Sequence, residues 1–310
     1  MATLRAMQAA SQKVTAAVTM SGPYALEAFG DTIFFGGVDI GSTEFAPLTA
    51  SSYQHAYGNI DSSTNPMFSS SYPNAESLLP SATPIDTIFA ENLLPETAAF
   101  DKTTPVVSIP NDPALSAELT ALLGVPPTPA LPLSAQTPIF DLGFGNPYLI
   151  NNGFRVAYAE DAASDPDGAI PKATPGVPLA KAKPTFGFRQ DLYVNDLRTA
   201  WYPKSPLLMC GGDQDPTVYF SVNTETMAAY WSTLPAGAVT VLDVNATPSG
   251  PFEKIQAGFQ ESEAALLAYL QTAAGGGLSA TAAEGQVVEG YHAAVAPFCA
   301  AAARAFFSQF

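Results

Sequence analysis

The stretch PLLMCGGDQDPTVYF, residues 206–220, decides how the chain is interpreted. Pro206 to Cys210 form a short apolar run that predicts a buried strand, and the two glycines after it allow a sharp turn. Asp213 and Asp215 follow within that turn. In an open α/β sheet, ligands bind at the carboxyl ends of the strands. The stretch therefore predicts a candidate catalytic carboxylate, although either aspartate could instead serve as a turn or helix cap.

Strands and helices alternate on either side of a long central region. Residues 1–24 predict a helix, a strand and the turn SGPY, with the strand at Val14–Met20. Residues 204–310 alternate in the same way, with these predicted elements: strands at 206–210 and 238–245, helices at 223–234 and 260–273, and an apolar closing helix after residue 292. Such alternation is typical of an α/β fold with a parallel sheet.

The central region, residues 25–203, differs in composition. It is rich in proline and aromatic residues, and Asp112-Pro113 is typical of an N-cap followed by the first helical residue. We expect a large, Pro-rich, mainly helical insert that covers the catalytic edge as a cap or lid. The predicted organisation is therefore 1–24 and 204–310 as two parts of one core, with 25–203 inserted between them.

Composition limits the classes of function. Hydrophobic residues make up 47% of the 310 and charged residues 13%, which is a globular composition. The net charge of −16 argues against nucleic acid and against anionic membrane surfaces as partners. The opening MATLRAMQAASQ does not have the pattern of a signal peptide. With only two histidines, a multi-histidine metal site is not expected.

A candidate partner for the acid is His292, in the segment EGQVVEGYHAAV. We expect it in a loop just before the last helix, which is where an α/β enzyme places a histidine that follows its acid in chain order. An aspartate fixes the tautomer of such a histidine and stabilises its imidazolium form. His55 lies in the insert and is interpreted as structural or cap-lining.

Cys210 and Cys299 stand at no metal-ligand spacing. Two buried thiols are the first interpretation, and a disulfide is the alternative if the protein is exported. A cysteine nucleophile at Cys210 is a further, minor alternative.

The nucleophile has no obvious position. A serine hydrolase of the α/β type, in which the acid precedes the histidine along the chain, carries G-x-S-x-G on a turn between a strand and a helix. That motif occurs nowhere in the 310 residues, and DIGSTEF, which contains Ser42, does not fit it.

Four blocks resemble the α/β-hydrolase superfamily, in particular secreted lipase- and esterase-like members with a large insert. They are AMQAASQKVTAAVTMSGPYAL, YQHAYGNI, NDLRTAWYPKSPLLMCGGDQDPTVYFSVNT and GYHAAVAPFCAAAARAFF. The resemblance implies Asp215 rather than Asp213 as the acid, His292 as the base, no metal or organic cofactor, and a secreted or periplasmic location. In such enzymes the serine begins the helix that leads into the strand VTAAVTM. The chain thus looks like a member that lacks the section holding the nucleophile elbow.

One candidate for a surrogate nucleophile is Ser21 in TMSGPY, at the carboxyl end of the first predicted strand. The alternative is that residues 21–24 form a turn that lines the pocket. Even a working Ser21 is expected to be a poor catalyst, since losing one oxyanion-hole donor costs about 100- to 1,000-fold in rate.

The expected function is carboxylic ester hydrolysis on a small-molecule or polymeric ester. A polyester is one candidate substrate, because the insert is rich in aromatic residues. The alternative is a catalytically impaired fragment or a binding module that keeps the fold. The sheet would have three to four strands, and the outer edge of the first strand would be unpaired. The unpaired N–H and C=O groups of such an edge can hydrogen-bond to a strand of another chain. We therefore expect a homodimer through that edge, unless the insert covers it.

Overall fold

A computed structural model of the chain describes residues 2–9, 14–60, 66–79, 83–127, 137–167, 181–198, 201–273 and 277–310. The described residues divide into two compact units. The first contains residues 2–25 and 197–310, and the second contains residues 26–167 and 181–196.

Five strands are present in the described part of the chain: β1 Ala17–Met20, β2 Phe100–Asp101, β3 Phe144–Gly145, β4 Leu207–Gly211 and β5 Val239–Asp243. The α-helices of the described residues are α1 Ala2–Ala9, α2 Leu26–Phe34, α3 Ser42–Tyr57, α4 Ala75–Leu78, α5 Ile85–Ala90, α6 Pro113–Leu122, α7 Thr137–Phe140, α8 Asn152–Ser164, α9 Gly187–Asn195, α10 Thr226–Tyr230, α11 Glu253–Thr272 and α12 Ala280–Phe307. A π-helical turn, Ser221–Glu225, leads into α10.

The first unit is built on a parallel three-stranded sheet in the order β1-β4-β5. Ala17 lies opposite Leu207, and Leu207 lies opposite Val239. All five residues of β4 are buried because this strand lies between the other two. The predicted small parallel sheet with helices, a mixed α/β architecture, is confirmed.

Successive side chains of β4 point to opposite faces of the sheet, as the strand period of two requires. Leu208 and Cys210 belong to a core cluster with residues of α11 and α12. Leu207 and Met209 belong to a second cluster on the other face, with residues of α1 and α10. The sheet is therefore covered on both faces, which explains why the sequence of β4 is continuously apolar.

The second unit has an aromatic core. Phe34 stacks on Tyr158 with ring centroids 3.8 Å apart, and Phe100 and Phe188 lie edge-on or tilted against Phe34. Most of the aromatic residues that distinguish this region are thus used for its own packing. An aromatic or polymeric ester as the substrate stays a prediction.

The predicted start of α6 is confirmed. Asp112 caps α6 by accepting a hydrogen bond from the Leu115 amide, and Pro113 is the first helical residue. The first helix is described only for Ala2–Ala9, because residues 10–13 lie outside the described residues. The first strand begins at Ala17 rather than at Val14. The role of residues 25–203 as a cap over an active site stays a prediction.

One local prediction is wrong. His292 lies inside α12 and not in a loop before it, since the helix begins at Ala280. Ser279 caps the start of this helix by accepting a hydrogen bond from the Ala282 amide. The glycines that suggested a loop, Gly285 and Gly290, are accommodated within the helix at a cost of about 1 kcal/mol each.

Candidate functional site

The turn after β4 holds Asp215 in a fixed orientation. The Asp215 amide donates to the Gly212 carbonyl at 3.1 Å, which closes the turn. Its carboxylate oxygen Oδ1 accepts from the amides of Thr217 and Val218 at 2.9 and 3.1 Å. The side chain is fully buried. One carboxylate oxygen is therefore occupied by the backbone, and Oδ2 is left to meet other side chains.

His292 contacts that second oxygen. Its Nδ1 lies 2.7 Å from Asp215 Oδ2, and the imidazole is partly exposed, at 37% of its side-chain surface. A histidine that donates from Nδ1 to a buried carboxylate presents Nε2 as the acceptor for another proton. The pair has the arrangement of an acid that orients a general base.

Ser21 completes a cluster of three side chains around Asp215 Oδ2. It follows β1 directly, and its amide donates to the Cys210 carbonyl at 2.8 Å, so it lies at the same sheet edge as the acid. Its hydroxyl donates to Asp215 Oδ2 at 2.5 Å. The hydroxyl proton is thus shared with the acid, whereas a nucleophile would share it with the base.

The backbone of Ser21 is unusual. Its φ of +35° lies in the left-handed region, which a residue other than glycine rarely adopts. Such a conformation costs roughly 1–3 kcal/mol and is concentrated at functional sites. The strand therefore ends at a strained residue whose side chain is directed to the candidate site.

The structure brings together the three residues that the sequence predicted, Ser21, Asp215 and His292. It pairs His292 with Asp215 rather than with Asp213. Their catalytic roles stay predictions. His55 lies exposed in α3.

Asp213 lies in a group of carboxylates that the sequence did not reveal. Its amide donates to Asp243 Oδ1 at 3.1 Å. Burial, followed by the charges of Asp213 and Glu225, raises the pKa of Asp243 to about 6, although amide hydrogen bonds oppose the shift. Burial also raises the pKa of Asp213 and of Glu263, in the second case with help from the Asp213 charge. The only signal in the sequence is that Asp243 ends β5, beside the end of β4.

Tyr291 connects α12 to this region. Its hydroxyl donates to Asn245 Oδ1, and Asn245 Nδ2 donates to Glu263 at 3.4 Å. Burial, followed by the charges of Glu263 and Asp243, raises the pKa of Tyr291 well above its usual value. Tyr291 is therefore a hydrogen-bond donor beside His292 at neutral pH.

A disulfide joins Cys210 to Cys299, which corrects the first interpretation of two separate thiols. The sequence could not decide between the two because the residues are 89 positions apart and their approach depends on how α12 docks. The bond also removes Cys210 as a candidate nucleophile in this oxidised state.

Metal-binding clusters and membrane-spanning helices can be assessed for the described residues. Neither a group of three or more His, Cys, Asp or Glu side chains suited to a metal ion nor a helix with the length and apolarity needed to cross a membrane is found among them.

Comparison with known proteins gives a likeness to one solved esterase. A crystal structure titled as the rice cell wall degrading esterase LipA from Xanthomonas oryzae is 20% identical, with a TM-score of 0.48, over 84% of this chain and 52% of that chain. A ligand-bound form of the same esterase is 20% identical, with a TM-score of 0.47, over 78% of this chain and 46% of that chain. This chain spans about half the length of that esterase. No family model and no curated protein matches the chain.

Proposed function

We propose that the chain carries the acid and base of a serine-hydrolase site and acts on carboxylic esters. The observation that carries the proposal is the 2.7 Å contact between His292 Nδ1 and Asp215 Oδ2 at the carboxyl end of the central strand. Two backbone amides hold the other oxygen of Asp215, so the carboxylate can orient the imidazole. His292 Nε2 would then accept the proton of a nucleophile and later return it to the leaving alcohol.

The identity of the nucleophile is the second part of the proposal. Ser21 is the candidate because it directly follows the neighbouring strand β1 and its hydroxyl contacts Asp215. To attack an ester it would have to transfer its hydroxyl hydrogen bond from Asp215 to His292 Nε2. The strained φ of Ser21 favours this role, and the short bond to the acid opposes it.

The bond from Ser21 to the acid also favours a second candidate function. A hydroxyl committed to Asp215 stabilises the carboxylate and leaves the site without an activated nucleophile. In that case the chain is a catalytically impaired member that retains the site, or a module that binds esters without cleaving them.

A p-nitrophenyl acetate assay with the wild type, Asp215→Asn and Ser21→Ala tests the proposal. We expect slow hydrolysis by the wild type and a loss of about 100-fold or more in Asp215→Asn, since the histidine loses its orienting acid. If Ser21 is the nucleophile, Ser21→Ala loses activity to a similar extent. If Ser21 supports the acid, its loss costs little.

Wild-type hydrolysis that survives unchanged in Asp215→Asn would contradict the assigned acid. A wild type that does not hydrolyse p-nitrophenyl acetate but binds it, as detected by calorimetry, would support the binding module instead.

A secreted or periplasmic location is part of the same proposal. Disulfides form and persist in oxidising compartments, and the described residues contain no free cysteine. Recovering the Cys210–Cys299 disulfide by mass spectrometry from protein alkylated in the native host would support this location. Two alkylated thiols would oppose it.

A further inference from the structure

The position of His292 depends on how a helix is held. Because this residue lies within α12, its ring moves whenever the helix rotates or slides along its axis. An α-helix rises about 1.5 Å per residue and turns once in about 3.6 residues. A shift by one residue combines this rise with a rotation of about 100°, and would therefore break the 2.7 Å contact between His292 Nδ1 and Asp215 Oδ2.

One attachment of α12 lies beside His292. The Tyr291 hydroxyl donates to Asn245, just after β5. The same hydroxyl also approaches the turn after β4, since a Cβ atom added at Gly212 would lie 2.0 Å from it. This attachment consists of one hydrogen bond and close packing at a single level of the helix.

The second attachment is covalent. Cys299 follows His292 by seven residues, or two helical turns, so both side chains lie on the same face of α12. Cys299 is bonded to Cys210 on β4, the strand whose end carries Asp215. Both cysteines are fully buried in the core cluster between the sheet and α12.

The two attachments, Tyr291 and Cys299, are eight residues apart, slightly more than two helical turns, and both side chains belong to the core cluster between α12 and the sheet. Together they fix both the rotation and the axial position of the helix. We infer that Cys210 and Cys299 are positioning residues, whose disulfide holds His292 in register with Asp215. The bond closes a short covalent route from the base, along α12 and β4, to the acid. Without it, the hydrogen bonds of Tyr291 and His292 and a set of apolar contacts determine the register, and apolar contacts are not directional.

The inference rests on the proposed function only for its kinetic consequence. Its structural content, the geometry of the histidine–carboxylate pair, is measurable without any ester. The chain contains only two histidines, so ring nitrogen and carbon NMR signals of His292 and His55 are readily assigned. His55 belongs to the other unit and is an internal reference.

The experiment compares histidine-labelled wild type, Asp215→Asn and the double variant Cys210→Ala/Cys299→Val. Wild type and Asp215→Asn define the His292 signals with and without the acid. We expect the signals of the double variant to shift from the first toward the second, while those of His55 stay in place. In the p-nitrophenyl acetate assay we expect kcat to fall by about 100-fold with KM within about twofold, since misplacement by 1 Å can cost that much.

A second measurement serves if the double variant fails to fold. Dithiothreitol reduces the wild-type disulfide to two thiols and closes to its own cyclic disulfide, which balances the two electrons and two protons transferred. Low urea exposes the buried bond to the reagent, and removal of the urea then gives reduced protein with the natural side chains. We expect the same shift of the His292 signals in this species.

Wild-type His292 signals in a folded, disulfide-free protein would overturn the inference, and so would signals that do not change in Asp215→Asn. If the signals shift as expected but no variant hydrolyses esters, the positioning role stands and the proposed function fails. If hydrolysis is present and unchanged without the disulfide, the positioning role fails and the proposed function stands.

Discussion

At the scale of single residues, the candidate site depends on close approaches that tolerate no extra atom. Gly212 is the clearest case because it faces the Tyr291 hydroxyl and the Asn245 side chain. Gly285 on α12 has open space instead, since a Cβ atom added there would have no other atom within 4 Å. The two glycines therefore serve as a matched pair.

We expect Gly212→Ala to destabilise the protein by roughly 1–3 kcal/mol, because its methyl group would lie 2.0 Å from the Tyr291 oxygen and force a shift. Gly285→Ala is expected to stabilise the protein by about 0.5–1 kcal/mol, since alanine is the better helix former and the space is open. Urea unfolding measures both. Equal stability of the two variants would show that α12 does not pack on the turn as described.

Asp243 gives a prediction that depends on pH. Its pKa is about 6 in the folded protein and near 3.8 in the unfolded chain. The folded state therefore holds an additional proton between about pH 4 and 6, and the contribution of this group to stability falls as the pH rises through that window. The cost of the buried charge is present in full above pH 6.

We expect Asp243→Asn to stabilise the protein at pH 8, by on the order of 1 kcal/mol after allowance for solvent screening, and to have no such effect at pH 4. The asparagine keeps an oxygen for the amides of Asp213 and Asn245. Urea unfolding at the two pH values provides the measurement, with the exposed Glu289→Gln on α12 as control. A gain that is the same at both pH values would show that the charge of Asp243 is not its source.

At the scale of elements, the second unit is held by a buried arginine. Arg189 on α9 makes two contacts of 2.8 Å with Asp31 on α2 and one of 3.2 Å with Asp161 on α8. Glu27 lies 3.7 Å from it, and Tyr158 donates to Asp31 at 2.8 Å. One guanidinium thus links three helices.

Arg189→Met is expected to destabilise the second unit by about 3–5 kcal/mol, because it leaves buried carboxylates without their cation. The exposed Lys183→Met in the same unit removes a positive charge without that loss. Adding Asp31→Leu to Arg189→Met should recover part of the stability, since it removes the buried carboxylate that made two contacts with the guanidinium. Urea unfolding gives the free energy of unfolding of the three variants. Equal destabilisation by Arg189→Met and Lys183→Met would contradict the role of Arg189 as the buried cation of this unit.

The sequence predicted the elements of the first unit better than their contacts. The apolar run from Pro206 to Cys210 and the alternation of strands and helices are local patterns, so they indicated the parallel sheet. Asp215 could be singled out because it follows such a run. The location of His292 in a helix could not, since Gly285 and Gly290 are weak helix formers and the helix is long enough to include both.

The features that the sequence did not predict are contacts between residues far apart in the chain. The disulfide, the carboxylates around Asp213 and the salt bridges of Arg189 all join residues that are far apart in sequence. Nothing in the neighbourhood of Cys210 indicates that Cys299 lies against it, because their approach depends on the docking of α12 on the sheet. The hydrogen bond from Ser21 to Asp215 also joins residues that are far apart in sequence.

At the scale of the whole molecule, the sheet of the first unit is small and β1 has one partner strand among the described residues. The amides of Ala17 and Ser21 donate toward β4, so by the alternation of a strand the amide of Met20 points away from it. We propose that this edge pairs with a second copy of the chain, since unpaired strand edges seek partners.

Light scattering after size exclusion should then give a dimer for the wild type and a monomer for Met20→Pro, which removes an outward amide without removing a bond to β4. Tyr269→Ser, which alters an exposed side chain on α11, is the control and should remain dimeric. A monomeric wild type would contradict the proposed pairing.

The central claim for the whole molecule is that the Asp215–His292 pair serves ester hydrolysis. Its most direct test is the kcat/KM for p-nitrophenyl acetate of His292→Ala beside that of His55→Ala, which removes the other histidine. The account predicts a loss of about 100- to 10,000-fold in the first variant, as for a general base, and an unchanged value in the second. Hydrolysis by His292→Ala at the wild-type rate would contradict it.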